Sequence, residues 1–143
     1  MIKTSPLSKS HNKGLYGNYS NKEESGLLQI SEVTNVKIYQ IVKYKNINFD
    51  FKSILIQGYA LPKIAGEVTG DQITRVHWNA PNTWMIISSN KDIFNEILSI
   101  FTEDNFAVTD LSHSRAIIQI EGKKSYEIIK KGSPLNLNNF KKN

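Results

Sequence analysis

Between Thr109 and Leu137 the chain runs TDLSHSRAIIQIEGKKSYEIIKKGSPLNL and changes backbone habit at nearly every turn. A strand ends in the polar corner Asp110-Leu111-Ser112-His113. A second, apolar strand starts at Arg115 and reaches Glu121. Gly122 breaks it, and residues 123–131 read as a short helix closed by Gly132 and Pro134. A segment that alternates short strands, tight corners and short helices does not build a bundle or a parallel doubly wound sheet.

The rest of the chain has the same grain. Leu27–Ser31 and Val36–Val42 read as strands, the second alternating Val36, Ile38, Gln40 and Val42 against Lys37, Tyr39 and Ile41, so that one side suits burial better. Residues 48–57 place Phe51, Ile54 and Leu55 at helical spacing behind Asn48 or Asp50 as a cap, with a stop near Gly58. Ile73–Trp78 and Trp84–Ser88 read as strands joined by the turn Asn79-Ala80-Pro81-Asn82. Ile93, Phe94, Ile97, Leu98 and Phe101 then give a helix one buried face. The fold class that follows is α+β, a mainly antiparallel sheet with two to three helices. Residues 1–25 are polar and read as a mobile or extended tail anchored by Leu7, Leu15, Tyr16 and Tyr19. Residues 26–143 read as a single α+β domain.

Composition narrows the function classes. With 143 residues, 39% hydrophobic and 10% aromatic, the chain supports one domain with a core. It has no cysteine, which removes disulfides, thiolate metal sites and a thiol nucleophile together. No apolar run is long enough to span a bilayer, and Met1-Ile2-Lys3-Thr4-Ser5-Pro6 has no signal-peptide core, so a cytoplasmic protein is expected. The net charge of +5 comes from lysine far more than arginine, with Arg75 and Arg115 alone, and no lysine run exceeds two. That pattern argues against a nucleic-acid reader.

The chemistry-bearing residues are few. Asp110, Ser112 and His113 supply a carboxylate, a hydroxyl and an imidazole, but neighbours in a tight corner diverge and a nucleophilic triad needs them aligned. The structural reading has Asp110 and Ser112 bonding backbone amides of the corner. Arg115 either pairs with Asp110 across it, as two antiparallel strands about the corner would place them, or makes a subunit salt bridge or an anion contact. His77 stands far from His11 and His113, and no acid–histidine spacing suits a metal. No phosphate-binding glycine motif occurs. Trp78 and Trp84 flank the turn either as core under a hairpin or as a stacking pair for a flat ligand.

Asp110-Leu111-Ser112-His113, Arg115 leading its strand, Gly122, and Pro134-Leu135-Asn136-Leu137 together resemble the gamma subunit of heterotetrameric sarcosine oxidase. That subunit is in turn similar to the folate-binding aminomethyltransferase domain. Trp78-Asn79-Ala80-Pro81-Asn82-Thr83-Trp84-Met85-Ile86-Ile87 adds a second match and Tyr59-Ala60-Leu61-Pro62 with Gly66 a third, in family order over about residues 25–140. The gamma subunits continue beyond the equivalent of Phe140, so the resemblance implies a shortened or incomplete form. It also implies an assembly role in a complex that oxidatively demethylates sarcosine. FAD, FMN, NAD, tetrahydrofolate and zinc then belong to the alpha, beta and delta subunits, with none bound by this chain. The chief partner is the alpha subunit, with no nucleic acid and no membrane. Tyr16, Tyr19, Leu135, Leu137 and Phe140 are the expected partner interface. Two other classes stay open: a folate-dependent aminomethyltransferase-like module and a basic RNA-binding module.

Overall fold

The computed structural model describes residues 5, 7–9, 14–16, 27–45 and 53–134. In chain order the elements are β1 (Gly14–Tyr16), β2 (Leu28–Val33), β3 (Lys37–Lys43), β4 (Leu55–Ile56), β5 (Tyr59–Ala60), β6 (Val68–Gly70), β7 (Thr74–Ala80), β8 (Thr83–Ser88), α1 (Ile93–Ile100), β9 (Phe106–Asp110), β10 (Ile117–Glu121) and α2 (Ser125–Gly132). Every strand pair is antiparallel. The protein is therefore an α+β chain, mostly antiparallel sheet with two helices among the described residues. The elements group into two compact units, Met1–Pro6 with Thr34–Arg115, and Leu7–Val33 with Ala116–Asn143.

The first unit is a five-stranded sheet in the order β6-β7-β8-β3-β9, with the small hairpin β4-β5 and helix α1. Alternation sets its core face. Thr74 and Val76 of β7, Trp84, Ile86 and Ser88 of β8, and Tyr39 and Ile41 of β3 are buried, so the inward side of β3 is the one that carries Tyr39. Against that face α1 lays Ile93 and Ile97, followed by Phe101, whose ring meets Phe106 edge-on at 4.9 Å. Each of these side chains contributes about 1.5–3 kcal/mol by leaving water.

The expected helix face is narrower than its spacing suggests. Ile93, Ile97 and Phe101 lie inside, while Phe94 and Leu98 remain 41% and 47% exposed. The flank is not idle, because Phe94 stacks on Tyr39 with ring centroids 5.5 Å apart.

The turn between β7 and β8 also tightens. A bulge between Trp78 and Ala80 lets β7 run on to Ala80, leaving Pro81-Asn82 as the connection. Asn82 takes φ 59°, a left-handed value that asparagine tolerates.

Two expectations fail here. The helix over 48–57 does not extend through its described part, because Leu55–Ile56 is a strand. Gln57 (φ 50°) and Gly58 (φ 83°) form the two-residue turn that returns it as β5. Ile54 and Ile56 go inward and Leu55 outward, a period of two that the helical spacing of Ile54 and Leu55 had masked. Asn48, Asp50 and Phe51 lie outside the described residues. The strands on either side of Ser112 do not pair with each other either: β9 joins β3, whereas β10 joins β2.

The second unit is the sheet β1-β2-β10 with α2. Gly122 (φ 134°) carries the chain from β10 toward α2. A Cβ there would stand 2.6 Å from the Leu27 carbonyl oxygen, so the close passage needs glycine. Part of the expected tail, Gly14–Tyr16, is strand β1 paired to β2. Tyr19, Leu135, Leu137 and Phe140 lie outside the described residues.

Candidate functional site

The corner after β9 is where the distinctive motif falls, and its geometry comes from short-range bonding. The Asp110 carboxylate accepts the Ser112 amide at 2.8 Å, the side-chain turn that aspartate makes two residues ahead. The Ser114 and Arg115 amides both donate to the Leu111 carbonyl, at 3.0 and 3.1 Å, winding the chain away from β9. The Leu111 amide donates to the Ile38 carbonyl at 2.8 Å, and the Ile38 amide donates to the Ser112 Oγ at 3.0 Å. The serine side chain thereby extends the β3–β9 ladder past the last strand residue.

Burial pushes the Asp110 carboxyl up. The hydroxyl and amide of Ser112 and the charges of Lys37 and His113 outweigh that and hold it below the usual carboxylate value. Across the ladder, burial first and then the Asp110 charge raise the Tyr39 phenol.

This arrangement is a poor nucleophile and a good clamp. The Ser112 hydroxyl bonds a carboxylate and accepts a backbone amide. No hydrogen bond joins it to the His113 imidazole, which is exposed. A carboxylate held below its ordinary range is a weak proton acceptor, so Asp110 is a poor general base for the serine. The expected Asp110–Arg115 pair does not form. Arg115 is exposed, and the charges acting on Asp110 are those of Lys37 and His113. That pair presumed a hairpin about the corner, whereas the corner is tied to β3.

The other singled-out residues scatter. Trp84 is buried, its indole N–H donating to the Pro62 carbonyl at 2.8 Å, and its cross-strand neighbour is Trp78. That places Trp84 in the core, with its one polar atom satisfied. His77 points to the opposite side of β7 from Val76. Its Nε2 is buried with no hydrogen-bond partner, and burial, helped by Arg75, lowers its pKa. His11 lies outside the described residues. Among the described residues no group of three His, Cys, Asp or Glu side chains could hold a metal, and no helix is long and apolar enough to cross a membrane.

Three acid clamps were not singled out in the sequence. The Glu67 carboxylate accepts the Lys63 and Ile64 amides at 2.9 and 3.2 Å. The Asp71 carboxylate accepts the Ile73 and Thr74 amides, both at 2.8 Å. These bonds hold both carboxyls below their usual values. Glu96 of α1 takes both the backbone and the side-chain amide of Gln57, pinning the left-handed turn of the β4-β5 hairpin to the helix. Glycine–aspartate at 70–71 is a turn signal that could have pointed to the Asp71 clamp. The Glu67 clamp reaches amides three and four residues back, whereas nothing local marks the Glu96 clamp, whose partner lies 39 residues away.

No family model matches the chain. Sarcosine oxidase subunit gamma from Corynebacterium sp. (strain U-96) is 29% identical over 82 residues, which is 56% of this chain and 40% of that protein. A chain of the heterotetrameric sarcosine oxidase from Corynebacterium sp. U-96, solved in complex with pyrrole 2-carboxylate, matches with a TM-score of 0.68 and 22% identity. That match covers 80% of this chain and 60% of the other. The chain spans about two fifths of the length of the curated relative. In sequence, then, this chain is similar to sarcosine oxidase subunit gamma, and its fold is that of a chain of the heterotetrameric enzyme.

Proposed function

We propose that the chain is a gamma-type subunit of a heterotetrameric sarcosine oxidase, with an assembly role and no redox site of its own. The observation that carries the reading is the conjunction of sequence similarity to a gamma subunit with the fold of a chain from the intact heterotetramer. The corner agrees with a scaffold: its only hydroxyl–carboxylate pair is engaged in holding backbone. On this reading the complex converts sarcosine, tetrahydrofolate and oxygen to glycine, 5,10-methylenetetrahydrofolate and hydrogen peroxide. FAD, FMN, NAD, tetrahydrofolate and zinc sit on the alpha, beta and delta subunits. Residues 26–143 form a degenerate aminomethyltransferase-like domain docked chiefly on the alpha subunit, in the cytoplasm. The terminal residues Tyr16, Tyr19, Leu135, Leu137 and Phe140 belong to the same contact.

The test is co-expression with the large flavoprotein subunits from the same genome. A stoichiometric complex that makes hydrogen peroxide from sarcosine is expected, and the chain alone should be colourless and inactive. Flavoprotein subunits that assemble and turn over identically with and without this chain, never retaining it, would overturn the proposal.

A further inference from the structure

Helix α2 carries apolar side chains that its own unit leaves partly exposed. Ile128 and Ile129 are 44% and 43% exposed, and no residue of the helix is buried. Around them stand Lys123 and Lys124 before the first turn and Lys130 and Lys131 in the last, all four exposed. Glu127 is the one acid of this stretch, so four lysines against one glutamate leave residues 123–131 with a net +3.

The helix dipole accounts for half of that charge. Lys130 and Lys131 lie at the negative end, where cations stabilise a helix; Lys123 and Lys124 lie at the positive end, where they are repelled. Two lysines held against the dipole at the rim of an exposed isoleucine pair match an apolar interface centre framed by polar residues.

We propose that α2 is a docking helix, Ile128 and Ile129 its apolar centre and the four lysines its rim, for an acidic groove on a partner protein. The inference rests on the subunit reading above and names the groove as lying on a larger subunit of the oxidase. Charge complementarity selects that occupant. A second copy of this chain brings the same net charge of +5 and is repelled. An anionic bilayer is a poorer fit, because a membrane-surface helix needs a broad apolar face and α2 offers two isoleucines. The tight passage of Gly122 past the Leu27 carbonyl also fixes where the helix leaves its sheet.

The experiment measures the dissociation constant of the purified full chain on the immobilised remaining subunits, at about 50 mM and about 300 mM salt. Wild type is compared with Ile128→Ser/Ile129→Ser and with Lys123→Glu/Lys124→Glu/Lys130→Glu/Lys131→Glu. Both variants should keep the circular dichroism of the wild type, since every altered side chain is exposed. The wild type should bind roughly tenfold less tightly at the higher salt. The isoleucine variant should lose roughly tenfold or more at both salts, and the lysine variant should bind weakly and lose the salt dependence. Vesicles of phosphatidylserine and phosphatidylcholine should capture none of the three. Variants that bind the subunits as wild type does overturn the docking helix and leave the subunit reading standing. Failure of the wild type to bind overturns both. Vesicle capture that the variants abolish, with subunit binding unchanged, assigns α2 to a membrane and overturns the inference.

Discussion

The Ser112 Oγ accepts the Ile38 amide at 3.0 Å, joining residues 74 apart in the chain and closing the ladder just past the end of β9. Ser112→Ala leaves that half-buried amide without its acceptor and deprives Asp110 of a donor. A loss of about 1–3 kcal/mol is expected, read as a lower midpoint in urea denaturation. Asp110→Asn should cost less, since asparagine keeps the side-chain turn. His113→Ala should do far less than Ser112→Ala. If His113→Ala proves the more damaging change, the corner works in some other way.

Helix α1 gives a sharper contrast between adjacent positions. Ile97 is fully buried beneath it and Leu98 faces outward. Ile97→Ala should destabilise the first unit by about 2–5 kcal/mol through lost burial and the cavity left behind. Leu98→Ala should stay within about 0.5 kcal/mol. Equal losses in chemical denaturation would mean that both flanks of the helix are packed.

How far these elements could be read from sequence depended on whether their determinants were local. Strands β7 and β8 were legible because Thr74, Val76, Trp84 and Ile86 alternate with outward neighbours, a signal contained in each strand. The Asp110 turn was legible for the same reason, since aspartate bonds an amide two residues away. The β4-β5 hairpin was not, because Ile54 and Leu55 suit either period, and the deciding element is a left-handed Gln57 held by Glu96 from a helix far along the chain. The partners of β9 and β10 were misread because adjacency in sequence favours a hairpin, and what prevents one is the pair of bonds from the corner to Ile38. The Asp110–Arg115 pair fell with that hairpin.

Glycine 122 offers a test of backbone conformation. Gly122→Ala combines a φ of 134° with a Cβ 2.6 Å from the Leu27 carbonyl oxygen, so strain and overlap act together. Destabilisation of more than about 1 kcal/mol is expected. Gly132→Ala meets nothing within 4 Å at the end of α2 and should be neutral or slightly stabilising. A thermal melt in which the two alanine variants coincide would show that the passage beside Leu27 is looser than the structure has it.

Histidine 77 should govern stability on the mildly acidic side of neutrality. Burial lowers its folded pKa, with Arg75 adding to the effect, so the folded chain holds the imidazole neutral where the unfolded chain already protonates it. A depressed folded pKa means that stability is fully present above the unfolded value of about 6.5 and is lost as pH falls from there through the folded value. The clamped carboxyls Glu67, Asp71 and Asp110, also depressed, lose their contributions only in the more acidic carboxylate range. The window from about pH 6.5 to about pH 5 therefore separates the histidine from the acids. Val68, Met85 and Arg75 are its neighbours on that side of the sheet, and none of them supplies an anion to a protonated Nε2. In His77→Gln the drop in urea midpoint across that window should be clearly smaller than in the wild type, while both lose stability together at lower pH. Parallel curves for the two proteins between neutrality and about pH 5 would remove His77 from the acid response.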